Sequence, residues 1–319
     1  MIVLAGDVGG TRARLALVEV EGGRPRLLRD DTWESARHAG PAPLVRRFLE
    51  EGPVRPDRLR LAVAGPVEDG RVRLTNLGWT LDERELAEAT GIADARLLND
   101  FEAVARSLAV LGPDQLATLQ AGKPADDAPR AVLGAGTGLG QAFLLPGPRV
   151  VPSEAAHADF APADPLQDAL LEHLRARHGH VSWERVLSGP GLQAVHGFLR
   201  ERDRGPGDGG SRDPGGDAPP PEEISRRALE DADPLCGRVL NLFVRVYGAQ
   251  AGNMALTVRA AAGVYLAGGI APDMLPRLRE GSFLEAFRDK GRFRPFLERV
   301  PVHVITDTRA GLLGAAIGG

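Results

Sequence analysis

Two short glycine-rich segments are the first chemistry this sequence offers. Gly6-Asp7-Val8-Gly9-Gly10-Thr11 interrupts an apolar run near the start, and Gly134-Ala-Gly-Thr-Gly-Leu-Gly140 interrupts another. Glycine turns between strands let backbone N–H groups converge on phosphate oxygens with no Cβ in the way. Thr11 and Thr137 each add a hydroxyl donor. The plainer alternative is a pair of tight hairpins in which glycine only supplies positive φ. The second segment is not a dinucleotide fingerprint, because Leu139 stands where G-x-G-x-x-G needs its third glycine and apolar strand residues follow. Either segment alone is weak evidence for a phosphate site; the pair is much stronger.

Asp7 lies between glycines at a strand end, where a carboxylate can hold a magnesium-bound water beside phosphates or can satisfy turn amides. Asn99-Asp100 occupies a strand-to-helix junction. There Asp100 can cap the helix, or it can accept a hydroxyl proton during in-line phosphoryl transfer. Glu154, His157 and Glu184 supply acceptors and a switchable donor suited to sugar hydroxyls. Ser153 excludes a metalloprotease H-E-x-x-H over the same stretch. Gly268-Gly269 follows an apolar run and allows either close approach of a flat ligand such as adenine or a tight backbone packing contact.

The elements that must position these residues are legible from periodicity. Residues 2–5 form a strand, alternation resumes at Ala13, Leu15 and Leu17, and a third strand covers 26–33. A helix over 42–51, a strand over 59–64, a helix over 82–90 ending at Gly91 and a strand over 95–99 follow. Asp100 then opens a helix running to about Leu111. From Ala131 the strand–glycine–strand pattern recurs, which predicts two related half-structures. Helices are expected over 164–177, 190–202, 222–262 and 272–298, with strands at 264–267 and 302–306 and a short closing helix. Between them, residues 204–221 hold eleven Gly or Pro in eighteen positions and read as a flexible surface loop.

Composition narrows the chemistry further. A hydrophobic content of 43% supplies a core for one large α/β unit or two domains. Net charge is −4 with no block of like charges, which argues against nucleic acid or an anionic membrane as partner. No run reaches the length of a membrane span, and Asp7 breaks the first apolar run too early for a signal peptide. An intracellular, cytoplasmic protein is therefore expected. Cys236 is the only cysteine, so no disulfide can form within the chain. Lys123 and Lys290 are the only lysines, and Pro124 follows Lys123, so a Gly-Lys-Ser/Thr P-loop is absent.

Taken together the segments resemble the bacterial glucokinase family, within the hexokinase/actin-like ATPase superfamily. The likeness rests on Leu4–Thr11 with Ala13–Leu17, Leu98-Asn-Asp-Phe101, Gly134–Gly140, Glu154 with His157-x-Asp-Phe-Ala-Pro162, Glu184–Leu192, Leu266–Pro272 and Gly311-Leu-Leu-Gly314. It implies an α/β, two-domain actin-like ATPase (ribonuclease H-like) fold with an inter-domain cleft. The small domain would be 1–109 completed by 298–319, and the large one 110–297. It implies ATP with Mg2+, the phosphates cradled by Gly6, Asp7, Val8, Gly9, Gly10, Thr11, Thr137 and Gly138. Gly268 and Gly269 would lie near the adenosine, and Asp7 would hold Mg2+ through water. Asp100 becomes the general base towards the 6-hydroxyl of glucose. Asn99, Glu154, His157 and Glu184 join it as sugar ligands, and a homodimer is expected. Arg12 departs from the family's usual Asn after Gly-Gly-Thr, and Ser153-Glu-Ala-Ala-His157 departs from its usual Gly-Glu-Gly-Gly-His. A kinase for another hexose, polyphosphate as donor, and a non-catalytic sugar-sensing regulator are the rival readings; Asp100 and the lack of a helix-turn-helix ahead of the first strand disfavour the regulator.

Overall fold

A computed structural model describes residues 1–74, 77–147, 149–204 and 218–318. Most of the glycine- and proline-rich stretch at 204–221 lies outside these residues. The chain divides into two compact units, Met1–Gln115 with Gly147–Pro152 and Asp307–Gly319, and Leu116–Pro146 with Ser153–Thr306.

The first unit is built on β1 (Ile2–Val8), β2 (Arg12–Glu21), β3 (Arg24–Glu34), β4 (Arg58–Val63) and β7 (Asp94–Asn99), with a separate hairpin of β5 (Arg71–Leu74) and β6 (Trp79–Asp82). The main sheet has the order β3-β2-β1-β4-β7. β1 and β2 are antiparallel, whereas β1, β4 and β7 run parallel. Successive side chains of a strand point to opposite faces, and β1 shows what each face requires. Leu4 and Val8 join Leu61, Leu97, Leu44, Phe48 and Leu86 in a core of large residues under the helices Pro41–Glu50 and Glu83–Thr90. Val3 and Ala5 join Ala16, Ala62, Ala103, Leu312 and Ala315 in a core of mostly small ones under the helices Asp100–Ser107 and Ala310–Ala316. Small side chains let those two helices come close: a Cβ on Gly314 would fall 1.7 Å from the Ala103 carbonyl oxygen.

Helix starts follow local capping chemistry. Asp82 accepts from the amides of Arg84 and Glu85, and Gly91 at φ 72° ends that helix. Asp164 and Asp233 cap the helices Pro165–His178 and Pro234–Val258 in the same way. The helix from Asp100 stops at Ser107, one turn short of the expected end, as the chain passes into turns through Val110.

The second unit contains β8 (Leu116–Gln120), β9 (Arg130–Ala135), β10 (Leu139–Leu145) and, beyond β11 (Arg149–Ser153), β12 (Gly263–Ala267) and β13 (Val302–Ile305). Its strands run in the order β10-β9-β12-β13-β8. An antiparallel hairpin β9–β10 is extended by parallel β12 and β13, as β1–β2 is extended by β4 and β7 in the first unit. The recurring strand–glycine–strand pattern of the sequence is thus a repeated topology. The 25-residue helix Pro234–Val258 runs through this unit's core, and the buried Tyr247 hydroxyl donates to the Leu133 carbonyl at 3.3 Å. No described helix is long and apolar enough to cross a membrane.

Candidate active site

In the first unit, the carboxyl ends of three parallel strands bring the candidate residues to one edge of the sheet. Val8, Val63 and Asn99 are register partners at the ends of β1, β4 and β7. Open parallel sheets bind ligands beyond such ends. The turn after β1 is closed by the Gly9 amide donating to the Arg12 carbonyl at 2.9 Å. It is also stapled by the fully buried Ser35. The Ser35 hydroxyl donates to the Gly9 carbonyl at 2.8 Å and its amide to the Thr11 carbonyl at 3.0 Å. Gly10 and Thr11 are exposed, so their backbone can meet a ligand. Gly6 and Val8 are buried within β1, and a Cβ on Gly6 would lie 2.4 Å from Leu61 and 2.9 Å from Leu15. Glycine is therefore required at position 6 by core packing, and Val8 contributes its side chain to that same core.

Asp7 points to the opposite, small-residue face, where a Cβ on Gly311 would sit 3.1 Å from its Oδ2. Burial pushes its carboxyl up, while the Arg14 guanidinium, its cross-strand neighbour, pulls it down. Arg14 is itself held by Asp30 through Nε at 2.8 Å and approaches the Thr308 hydroxyl at 3.5 Å. No group of three or more His, Cys, Asp or Glu suited to a metal ion occurs among the described residues. A lone, half-buried carboxylate fits a Mg2+ that arrives with nucleotide phosphates and is held through water, since that ion keeps most of its own shell.

The junction after β7 separates two roles that the sequence left open. Asn99, not Asp100, is the N-cap: its Oδ1 accepts from Phe101 N at 2.9 Å and Glu102 N at 3.2 Å. Its Nδ2 donates to the Gly65 carbonyl at 3.1 Å, tying the end of β7 to the turn after β4. Asp100, in the first helical turn, accepts from Phe101 N at 2.9 Å through Oδ1.

Sequence reasoning missed Ser35 and the cluster around Asp307. Asp307 accepts from the Arg309 amide at 2.9 Å, from its guanidinium at 2.9 and 3.0 Å, and from Gln115 Nε2 at 2.6 Å. Burial alone would raise this carboxyl, but these donors hold it down to about 2. A folded-state value below the ordinary 3.8 means that the ionised form favours folding, and the gain is lost as pH falls towards 2. Asp307→Asn is accordingly expected to lower the thermal midpoint at pH 7, with the gap to the unmodified protein closing between about pH 4 and pH 2. Thermal unfolding followed across that range checks the sign.

In the second unit, Gly136-Thr137-Gly138 lies beyond β9 and Gly268-Gly269 beyond β12, again at neighbouring carboxyl ends. Gly268 has φ +79°, and a Cβ there would fall 2.5 Å from the Ala135 carbonyl oxygen, so the turn itself demands glycine. The glycine turn after β9 is fixed by Gly136 N donating to Gly138 O and by Gly189 N donating to Gly136 O, both at 2.8 Å. Thr137 is exposed.

Glu154, His157 and Glu184 are brought together. His157 Nε2 stands 3.8 Å from Glu154, and its Nδ1 stands 4.0 Å from Glu184 Oε1. The one-turn helix Ala155–His157 places Glu154 and His157, and the Glu184 amide donates to Ala156 O at 3.0 Å. The other oxygen of Glu184 accepts from Leu139 N at 2.9 Å. Glu154 and His157 are exposed, as ligands for a small polar molecule must be.

Arg12 is exposed on β2 with its backbone opposite Glu34. Arg12→Asn is expected to leave the KM for ATP within about three-fold; a tenfold rise in steady-state assays would assign it a phosphate contact.

A family model described as Glucokinase matches residues 4–318. The chain is 40% identical to the glucokinase of Trichormus variabilis over 341 aligned residues, covering 99% of this chain and 98% of that protein. It is 39% identical to the glucokinase of a Synechocystis species, covering 98% of this chain and 96% of that one. The crystal structure of a glucokinase from an Antarctic psychrotroph superposes with a TM-score of 0.87 at 33% identity, over 99% of this chain and 98% of that one. The chain therefore belongs to the glucokinase family of ATP-dependent hexose kinases and has its two-domain, actin-like α/β fold.

Proposed function

We propose that this protein is a glucokinase that moves the γ-phosphoryl group of ATP to the 6-hydroxyl of glucose, with Asp100 as general base. The observation that carries the substrate is the 40% identity, over nearly the whole chain, to a curated glucokinase. The role of Asp100 is supported by the cap geometry: Asn99 satisfies the helix amides, so the neighbouring carboxylate is not needed as the cap. Asp100 takes the proton of the 6-hydroxyl as that oxygen attacks the γ-phosphorus. The new O–P bond forms in line with the breaking bond to the β-phosphate oxygen, and ADP leaves. Gly10, Thr11, Thr137 and Gly138 offer backbone and hydroxyl donors to the phosphates in turns that Gly9 helps to shape, and Gly268-Gly269 makes room for the adenosine. Asn99, Glu154, His157 and Glu184 hold sugar hydroxyls. Asp7 would hold Mg2+ through water, and that ion would neutralise phosphate charge. The reading extends to a cytoplasmic homodimer, which sedimentation of the purified protein would test.

The deciding experiment is a coupled assay of the purified protein with a panel of hexoses, and with ATP or polyphosphate as donor. Glucose with ATP should give the highest kcat/KM. A preference of tenfold or more for another hexose or for polyphosphate would replace this substrate assignment.

A further inference from the structure

The second unit holds a contact between its glycine turn and its sugar-facing carboxylate. Glu184 Oε2 accepts from Leu139 N at 2.9 Å and lies so close to Gly138 that a Cβ there would be 2.5 Å away. Real Cβ atoms do not approach an oxygen that closely, so the carboxylate occupies the place of the missing side chain. Its other oxygen, Oε1, is the one that faces His157. The segment carrying Glu184 has little room to retreat. Its amide is fixed to Ala156 O, its carbonyl accepts from the Ser188 hydroxyl at 2.8 Å, and Gly189 N holds the same glycine turn through Gly136 O. Gly138 has no positive φ that would demand glycine, so backbone conformation does not explain why no side chain stands there.

We propose that Gly138, a residue of the phosphate-binding turn, is a positioning residue for the sugar: its bare Cα sets where the Glu184 carboxylate stands and therefore how sugar hydroxyls are held. This rests on the reading of the protein as a glucokinase with Glu184 as a sugar ligand. An added methyl group would push Oε2 off the Leu139 amide and displace Oε1 with it, because the two oxygens share one rigid carboxylate. The loss would appear in sugar binding, although the substituted residue belongs to the turn assigned to phosphates.

The test compares Gly138→Ala with Gly136→Ala, the same substitution two residues away, where a new Cβ meets nothing within 4 Å. Steady-state assays with glucose and ATP should show a tenfold or larger rise in glucose KM for Gly138→Ala. Its ATP KM should move less than three-fold, and the glucose KM of Gly136→Ala less than three-fold. Calorimetry with glucose and no nucleotide should show the same loss of sugar affinity. A Gly138→Ala enzyme with raised ATP KM and glucose KM within two-fold would overturn the proposal.

The pair Glu184→Asp and Gly138→Ala/Glu184→Asp guards against a variant that fails to fold. The shorter carboxylate leaves room for the methyl group, so adding Gly138→Ala to Glu184→Asp should change glucose KM by less than two-fold. A full tenfold effect in that background would show that Gly138 does not act through Glu184. Wild-type turnover is measured first. Its absence would overturn the kinase reading and this one with it, whereas an active wild type with additive variants overturns the positioning role alone.

Discussion

Asp100→Asn is expected to lower kcat by about two to four orders of magnitude, the usual scale for removing a general base. Glucose affinity, measured by calorimetry, should stay within a few-fold. Asn has nearly the same shape and keeps a carbonyl oxygen to accept from Phe101 N, as Asp100 Oδ1 does at 2.9 Å. The helix start should survive as well, because its cap is Asn99. What the amide cannot do is take a proton from the attacking hydroxyl. The substitution therefore separates the two properties, keeping the local hydrogen bond and removing the proton acceptor. A kcat within tenfold of the unmodified enzyme would remove Asp100 from the role of base.

The second large effect is on stability. Gly314→Ala places a methyl carbon 1.7 Å from the Ala103 carbonyl oxygen, 2.7 Å from its carbon and 2.9 Å from Ser107 N. Backbone cannot move aside as a flexible side chain can, so the helix Ala310–Ala316 must shift away from Asp100–Ser107. A cost of about 3 kcal/mol, the upper end for overpacking, is expected, with a thermal midpoint lower by several degrees. Gly237→Ala makes the contrast. It lies in the helix Pro234–Val258 with nothing within 4 Å of the new carbon. It should be neutral or stabilising by up to about 1 kcal/mol, since alanine is the better helix former. Equal midpoints for the two variants would show that the helix pair is not packed as described. Activity of Gly314→Ala should fall with its stability, because the displaced helix supports the one that carries Asp100.

Much of this was legible in the residues alone, for identifiable reasons. The glycine turns after β1 and β9 announce themselves because alternating apolar residues stop at glycines and resume beyond them. The helix over 82–90 was bounded by the local signal of Gly91, and the structure adds Asp82 as the cap at its start. The Asn99-Asp100 junction was visible, but the division of labour within it was not. Both residue types cap helices well, and only the direction of the Asn99 side chain shows which one does. The glycines were harder to assign. Gly6 sits inside a motif that suggests phosphate contact, yet its missing side chain is required by Leu15 and Leu61 on the two neighbouring strands. Gly314 is short of space because of Ala103, more than two hundred residues earlier. Ser35 and Asp307 gave no signal, since a single Ser or Asp between elements is common and their partners are distant in sequence. Local chemistry writes itself into a short window, whereas contacts between remote segments do not.

The discontinuity of the first unit bears on how the protein is made. Residues 310–316, which supply Leu312, Ala315 and Ala316 to the small-residue core, leave the ribosome more than two hundred residues after Ala103 and later still after the strands they cover. During synthesis those strands wait with one apolar face uncovered, while the later unit can assemble from segments already emerged. Nascent chains of this protein are thus open to chaperone capture late in translation. A truncated product lacking those residues would keep Glu154 and Glu184 but have an unsupported helix behind Asp100.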